Sequence, residues 1–389
     1  MGSINDIGGV SDPLSIPPLG GPDGWATAVK NVLGGSDVPV DSRFLTPVSS
    51  RPLMQGRNRI VNGDISVNQR NFTTGNAIYV NLNGPDQWRA TGVGGTCTLS
   101  VHPMALGELG EGRQFLRIAS TGQASAPENY AMVYTPIEGV RTLQGRTVTA
   151  SFWARAAAGT PTVAVEATQA FGTGGSPLVY IFGGVVTLST AWTRYSVTFN
   201  LPTVLGKTLG TGTGSDLLQL NLWTSAGTSY ASRVPGLGPQ DATVDFWGVQ
   251  LEEGTGPTAF EQRPYAQTLE ACQRYFYRVV GPADQVYLVS GQMNSGILGF
   301  PFLTRMRLAI PAVAHNFTDG NYGSNGVGAY WQFIIPSVNW VSKTGPITVT
   351  SGAVSGYGRL VCYCQAGYSA PPTSVQFGTG MYIDFNAEL

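Results

Sequence analysis

The sequence predicts a mostly β protein in three parts. These are an extended N-terminal segment with one short helix, a central antiparallel β-sandwich and a smaller C-terminal β domain. Three observations carry that expectation. Gly (52) and Pro (25) make about a fifth of the 389 residues, while charged residues make only 12%. Glycine supplies positive φ and proline presets turn geometry, so this balance suits many short strands joined by tight turns. Runs rich in Val, Ile, Thr and aromatic residues, bounded by Gly, Pro, Ser or Asn, recur from residue 58 onward. The chain is also too long for one ordinary domain and suits two or three.

Residues 1–57 carry little periodic pattern. SDPLSIPPLGGP is rich in Pro and Gly and reads as extended. PDGWATAVKNVLGG offers one short helix, with Asp23 as N-cap, Trp25, Val29 and Leu33 along one stripe, and Gly34 and Gly35 as the stop. A segment so poor in pattern builds no core of its own. It is either a disordered leader or an anchor that orders against a partner, because Trp25, Val29, Leu33, Phe44 and Leu45 are costly to leave in water.

Residues 58–265 read as the sandwich. AIYVNLN, TCTLSV, QFLRIAS, YAMVYT, RTVTASFWARA, TVAVEAT, LVYIF, TRYSVTF, DLLQLNLW and TVDFWGVQLE are the expected strands, spaced as a two-sheet antiparallel fold requires. Val244–Leu251 should alternate as the final strand. Residues 266–389 open with a helical turn, QTLEACQ, and continue with VYLVS, RMRLAI, AYWQFII, ITVTS, RLVCYCQ and MYIDFN as the strands of a second β domain.

Several chemistries fit poorly. Net charge is −1 without a basic stripe, so no nucleic-acid partner is expected. No apolar run approaches the ~18 residues of a membrane span, so no membrane insertion is expected. Four cysteines (Cys97, Cys272, Cys362, Cys364) are too few for a disulfide scaffold. The two histidines, His102 and His315, lie in different segments without Cys at ligand spacing, which argues against zinc and against a Ser-His-Asp triad. Glu252 and Glu253 are adjacent on a strand and point to opposite faces, so they cannot flank one glycosidic bond. Asp216 or Asp245 could still converge with other acids in three dimensions. Gly210–Gly214 lacks the Lys of a phosphate loop and reads as a strand connection. Sugar recognition would use exposed aromatics. Trp153, Trp192 and Trp247 lie in strand runs and read as core, whereas Tyr322, Tyr330, Trp331 and Trp340 flank Gly/Asn-rich loops and are the candidate glycan-binding residues, with a core role equally open.

Four phrases together resemble one family: NRIVNGDISVNQR (58–70), GVRTLQGRTVTASFWARA (139–156), STAWTRYSVTFNLP (189–202) and the closing VDFWGVQLEEGTGPTAFEQRPYAQTLEACQRYFYR (244–278). They are similar to bacteriophage tail-fibre and virion proteins whose central module is a jelly roll resembling carbohydrate-binding modules. Gln250, Leu251, Glu252, Gly254, Thr258, Phe260, Glu261, Arg263 and Pro264, then Glu270, Cys272, Arg274 and Tyr275, carry the closing phrase. Ile65 stands where an aromatic is usual, and Pro85-Asp86-Gln87-Trp88 replaces the family's more common loop phrase, which weakens the transfer of a sugar site to that loop. The resemblance implies a non-enzymatic virion component, a homotrimeric tail fibre that attaches to a host-surface glycan. Its N-terminal segment would dock onto tail, connector or capsid proteins. The alternative is a head or neck decoration protein; a polysaccharide depolymerase fits less well. The closing stretch itself reads as an interdomain joint at Phe260, Arg263, Pro264, Tyr265, Cys272, Arg274 and Tyr275, with Cys272 buried as a small apolar residue rather than nucleophilic. A structural calcium near Asp64 and Asp245 is the one cofactor the resemblance suggests.

Overall fold

The computed structural model describes residues 56–110, 112–211 and 215–280, with side chains to 278, and beyond them the backbone of separate strands. Two six-stranded antiparallel sheets face each other. The first is ordered β1 (Thr74–Asn76), β4 (Thr96–Pro103), β5 (Gln114–Thr121), β12 (Ala242–Glu253), β7 (Thr147–Ala156) and β10 (Thr193–Asn200). The second is ordered β2 (Leu82–Asn83), β3 (Arg89–Val93), β6 (Tyr130–Glu138), β11 (Leu217–Ala226), β8 (Thr162–Ala170) and β9 (Val179–Thr187). The fold is a mostly β sandwich, as the strand runs predict. Among the described residues no helix is long and apolar enough to cross a membrane.

The core lies where the inner faces meet. Leu116, Ile118, Val148, Phe152, Val244 and Phe246 from the first sheet pack against Val133, Val163, Val165, Leu218, Leu220 and Leu222 from the second. Alternation along each strand sends every second side chain into that layer. Strand β12 departs from the simple alternation expected of it. Val244 and Phe246 point inward at even positions, yet Val249 and Leu251 do so at odd ones. The register shifts between Trp247 and Gln250, and Gly248 sits there at φ 62. A bulge adds one residue and reverses the facing of everything after it.

The stretch AIYVNLN also differs from expectation. Only Leu82–Asn83 is strand, and Tyr79 turns the chain at φ 59 with 73% of its surface exposed. The strand Arg89–Val93 has no clear signal because it runs through Gly92. A side chain there would lie 2.8 Å from Cys97 Cβ, so the close approach of β3 and β4 demands glycine.

The opening and closing phrases of the sandwich form one interlocked structure. Asn58 Oδ1 accepts the Leu251 N–H at 3.1 Å, and the Val249 N–H donates to Gly63 O at 2.9 Å. Gly63 is required there, because a Cβ would fall 2.1 Å from Val249 O. Asn62 bonds both Val67 O (2.8 Å) and Asp86 O (2.9 Å), while Trp88 Nε1 donates to Asn62 O at 2.7 Å. Glu261 accepts the Gly56 and Asn58 N–H groups at 2.8 and 2.9 Å.

After the sandwich comes α1 (Tyr265–Gln273). Strand β13 (Phe276–Val280) then pairs with β22 (Tyr382–Asn386), which also pairs with β16 (Ala312–His315). A further seven-stranded antiparallel sheet contains β14 (Val286–Ser290), β15 (Ser295–Phe300), β17 (Trp331–Ile335), β18 (Val338–Lys343), β19 (Thr350–Val354), β20 (Tyr357–Tyr363) and β21 (Ser374–Gln376). The expected RMRLAI strand (305–310) lies outside the described residues, and ITVTS overlaps β19 only at its end.

Candidate functional site

The outward face of the second sheet gathers polar and aromatic side chains in register. Tyr134, Asn221, Glu166 and Phe182 lie side by side across β6, β11, β8 and β9. Gln219, Thr168 and Tyr180 form the next row. At the edge strand β9, Tyr180 and Phe182 keep 46% and 37% of their surface exposed. Two rings on one face, two residues apart along a strand, sit roughly 7 Å from each other.

Behind these rings lies a buried acid. Glu166 has no exposed surface, and Arg233, from the connection between β11 and β12, meets it with both prongs: Nε to Oε1 at 2.5 Å and Nη2 to Oε2 at 2.8 Å. Trp223 Nε1 (3.0 Å) and Asn221 Nδ2 (2.8 Å) also donate to Oε2. Burying a carboxylate is tolerable only with such compensation. The Arg233 guanidinium carbon stands 3.6 Å from the Tyr180 ring centre, so the ion pair also holds that ring in place. Because its acceptor positions are spent on four donors, Glu166 positions its neighbours and offers no free carboxylate for acid–base work. The arrangement can stack sugar rings on Tyr180 and Phe182 and present Gln219 and the rim of Arg233 to hydroxyl groups.

On the opposite face of the sandwich, Asp245 is fully buried between Arg117 and Arg155, its register partners on the two flanking strands. Arg117 bonds it at 2.6 and 2.9 Å and Arg155 at 2.8 Å. Two guanidinium groups already balance the charge a calcium ion would need, so Asp245 is not available as a ligand. Asp64 bonds instead to Ser66. Among the described residues no group of three or more His, Cys, Asp or Glu could hold a metal ion. Asp216 accepts the Val140 N–H at 2.8 Å, and Glu252 accepts Thr258 N (2.8 Å) and Oγ1 (2.7 Å). The acids singled out in the sequence therefore belong to separate networks.

The three tryptophans expected in the core join a core cluster separate from the one between the sheets. Trp247 is buried, and Trp153 and Trp192 half-buried, in a second cluster with Met104, Phe115 and Phe260 on the outer side of the first sheet. Trp192 donates to Glu108 at 3.1 Å from the turn before β10. An expectation of alternation alone cannot foresee that the outer face is itself covered.

The chain's exit from the sandwich is held at several points. The Phe260 ring packs on Trp247 with centroids 5.3 Å apart. Arg263 donates to the carbonyls of Asn58 and Ile60, and Pro264 O accepts the Gln267 and Thr268 N–H groups that start α1. Cys272 is buried. Arg274 embraces Glu138 at 2.8 and 2.6 Å, and Tyr275 Oη donates to the same carboxylate at 3.0 Å. Tyr265, by contrast, is 58% exposed. Of the glycan-binding candidates, Trp331 lies on β17 and Trp340 on β18, with only their backbone described, while Tyr322 and Tyr330 lie outside the described residues. So do Trp25, Val29, Leu33, Phe44 and Leu45 and the predicted N-terminal helix. Tyr180 and Phe182 were missed as candidates, although their i, i+2 spacing in LVYIF is visible in the sequence.

Residues 59–210 match the family model of a carbohydrate binding domain. No curated protein matches the chain. Among solved structures, the chain is similar to the CBM22-2 xylan-binding domain from Paenibacillus barcinonensis Xyn10C, at 22% identity over 43% of this chain and 92% of that one, with a TM-score of 0.28. It is also similar to the bacteriophage CBA120 tailspike protein 4 enzymatically active domain, at 12% identity over 51% of this chain and 22% of that one, with a TM-score of 0.29. The family 11 carbohydrate-binding module from Clostridium thermocellum shares 8% identity over 48% of this chain and 99% of that one, at 0.28. Likenesses this distant carry no argument about function; the family match, which covers most of the sandwich, supports glycan binding.

Proposed function

We propose that this protein binds a glycan through the outward face of the second sheet, as a non-enzymatic component of a tailed-phage virion, with attachment of a tail fibre to the host surface as its role. The observation that carries the glycan reading is the pair Tyr180 and Phe182, exposed beside Gln219 and Arg233 on a sandwich whose residues match a carbohydrate binding domain. The virion reading is supported by the resemblance of the phrases at 58–70 and 244–278 to phage fibre proteins. In this reading residues 1–57 dock to other virion proteins, 58–265 form the glycan-binding body, 266–389 lie distally, and the fibre is a homotrimer.

Affinity electrophoresis of the full chain through gels containing bacterial envelope polysaccharides, xylan or mixed-linked β-glucan tests the first part. At least one polysaccharide should retard it. Phe182→Ala and Tyr180→Ala should each weaken that binding roughly three- to tenfold. No retardation in any gel, or retardation unchanged in both variants, sinks the proposed site. Immunogold labelling of particles tests the second part, for which label on the tail is expected and label on the capsid shell instead assigns a head or neck role.

A further inference from the structure

A cleft of ≈ 730 Å³ opens on the other side of the sandwich, lined by Asp64, Arg113, Trp247, Gln262 and Tyr265 among others. Its volume suits a small ligand. Trp247 forms part of its wall from β12, which faces outward at that position, away from the core and from Tyr180 and Phe182.

Two features point to an occupant. Tyr265 presents an aromatic ring to solvent at 58% exposure, although the chain just before it is bonded down through Arg263. Arg113 is exposed, and nothing among the described residues pairs with its guanidinium. Arg263, also on the wall, is occupied by Glu261 and the carbonyls of the opening segment. Asp64 keeps one oxygen engaged with Ser66 (3.0 Å), and no bond to the other is recorded among the described residues.

We infer that this cleft is a second saccharide site, selective for a sugar bearing a carboxylate, a hexuronate unit of an acidic polysaccharide. Its ring stacks on Tyr265, its carboxylate pairs with the Arg113 fork, and Asp64 and Gln262 receive hydroxyl groups. An arginine fork recognises a planar carboxylate with two parallel hydrogen bonds, which a neutral hexose cannot reproduce. This site shares no residue with the outward face of the second sheet and stands or falls separately from it.

Calorimetric titration of the full chain with tri-galacturonate, and with its fully methyl-esterified form as an uncharged control of the same shape, tests the assignment. The acid should bind at least about tenfold more tightly than the ester. Arg113→Ala should bring the acid down to the affinity of the ester, and Tyr265→Ala should weaken both. Both side chains are exposed, so neither variant threatens folding. Phe182→Ala should leave tri-galacturonate binding unchanged. Absence of binding, equal affinity for acid and ester, or indifference to Arg113→Ala overturns the site, whatever the outcome for the second sheet.

Discussion

At the residue scale, Asp245 shows how much one side chain can hold. It joins three neighbouring strands through Arg117 and Arg155, and Arg155 continues to Glu108. Asp245→Asn keeps the shape but takes the counter-charge from Arg117 and leaves Arg155 with Glu108 alone. The expected loss is about 3–5 kcal/mol, because breaking a buried pair costs more than forming it gains; thermal unfolding measures it, and a loss below about 1 kcal/mol contradicts this account. His102 sits in the same cluster, bonded to Ser100 at 2.9 Å and stacked on Phe115. Burial, then the Arg117 charge, lower its pKa below the ordinary 6.5, with Asp245 opposing. A depressed histidine contributes stability above its unfolded pKa and loses it as pH falls through that range. The melting temperature should therefore decline as pH drops below about 6.5, and His102→Gln should flatten that part of the curve relative to the wild type. Burial pushes the Cys97 thiol up to about 12. Iodoacetamide at pH 8 should leave it unmodified in the folded protein and modify it after denaturation, as peptide mass spectrometry would show.

At the element scale, β12 does the most to join the parts. It lies between β5 and β7, receives the opening segment at its bulge and ends beside the exit loop. Gly248→Ala would place a side chain at φ 62 and 2.9 Å from Trp153 Cδ1. About 1–3 kcal/mol of backbone strain follows. Gly63→Ala meets a rigid backbone carbonyl at 2.1 Å rather than a ring that can shift, so it should destabilise more. Chemical denaturation of the two variants ranks them, and the reverse order would refute the interlock between opening segment and bulge. Much of this element was legible: its length, its final position, its Glu252 and that residue's partner Thr258 stand in one phrase. The bulge was not, because its inward residues change parity only when the partner strand sets the register.

At the scale of the whole molecule, Glu138 ties the end of β6 to the chain leaving the sandwich, through Arg274 and Tyr275. Glu138→Ala removes the acceptor of both at once. Protease should then cut near residues 265–280 faster than in the wild type, while the sandwich keeps its melting temperature within a few degrees. Deleting residues 1–57 should leave a folded oligomer that no longer enters particles; continued incorporation would end the anchor proposal. The β class, most of the sandwich strands and the closing phrase could be read from the residues, because alternation, turn residues and buried Asn, Gly and Arg positions are local or lie within short phrases; β3, running through Gly92, could not. Which aromatics face water, which acids are already paired and where a cleft remains emerge in three dimensions alone. Each of those depends on strands far apart in sequence lying side by side. Glu166 and Arg233, or Asp64, Arg113 and Tyr265, carry no mark in the sequence that would bring them together.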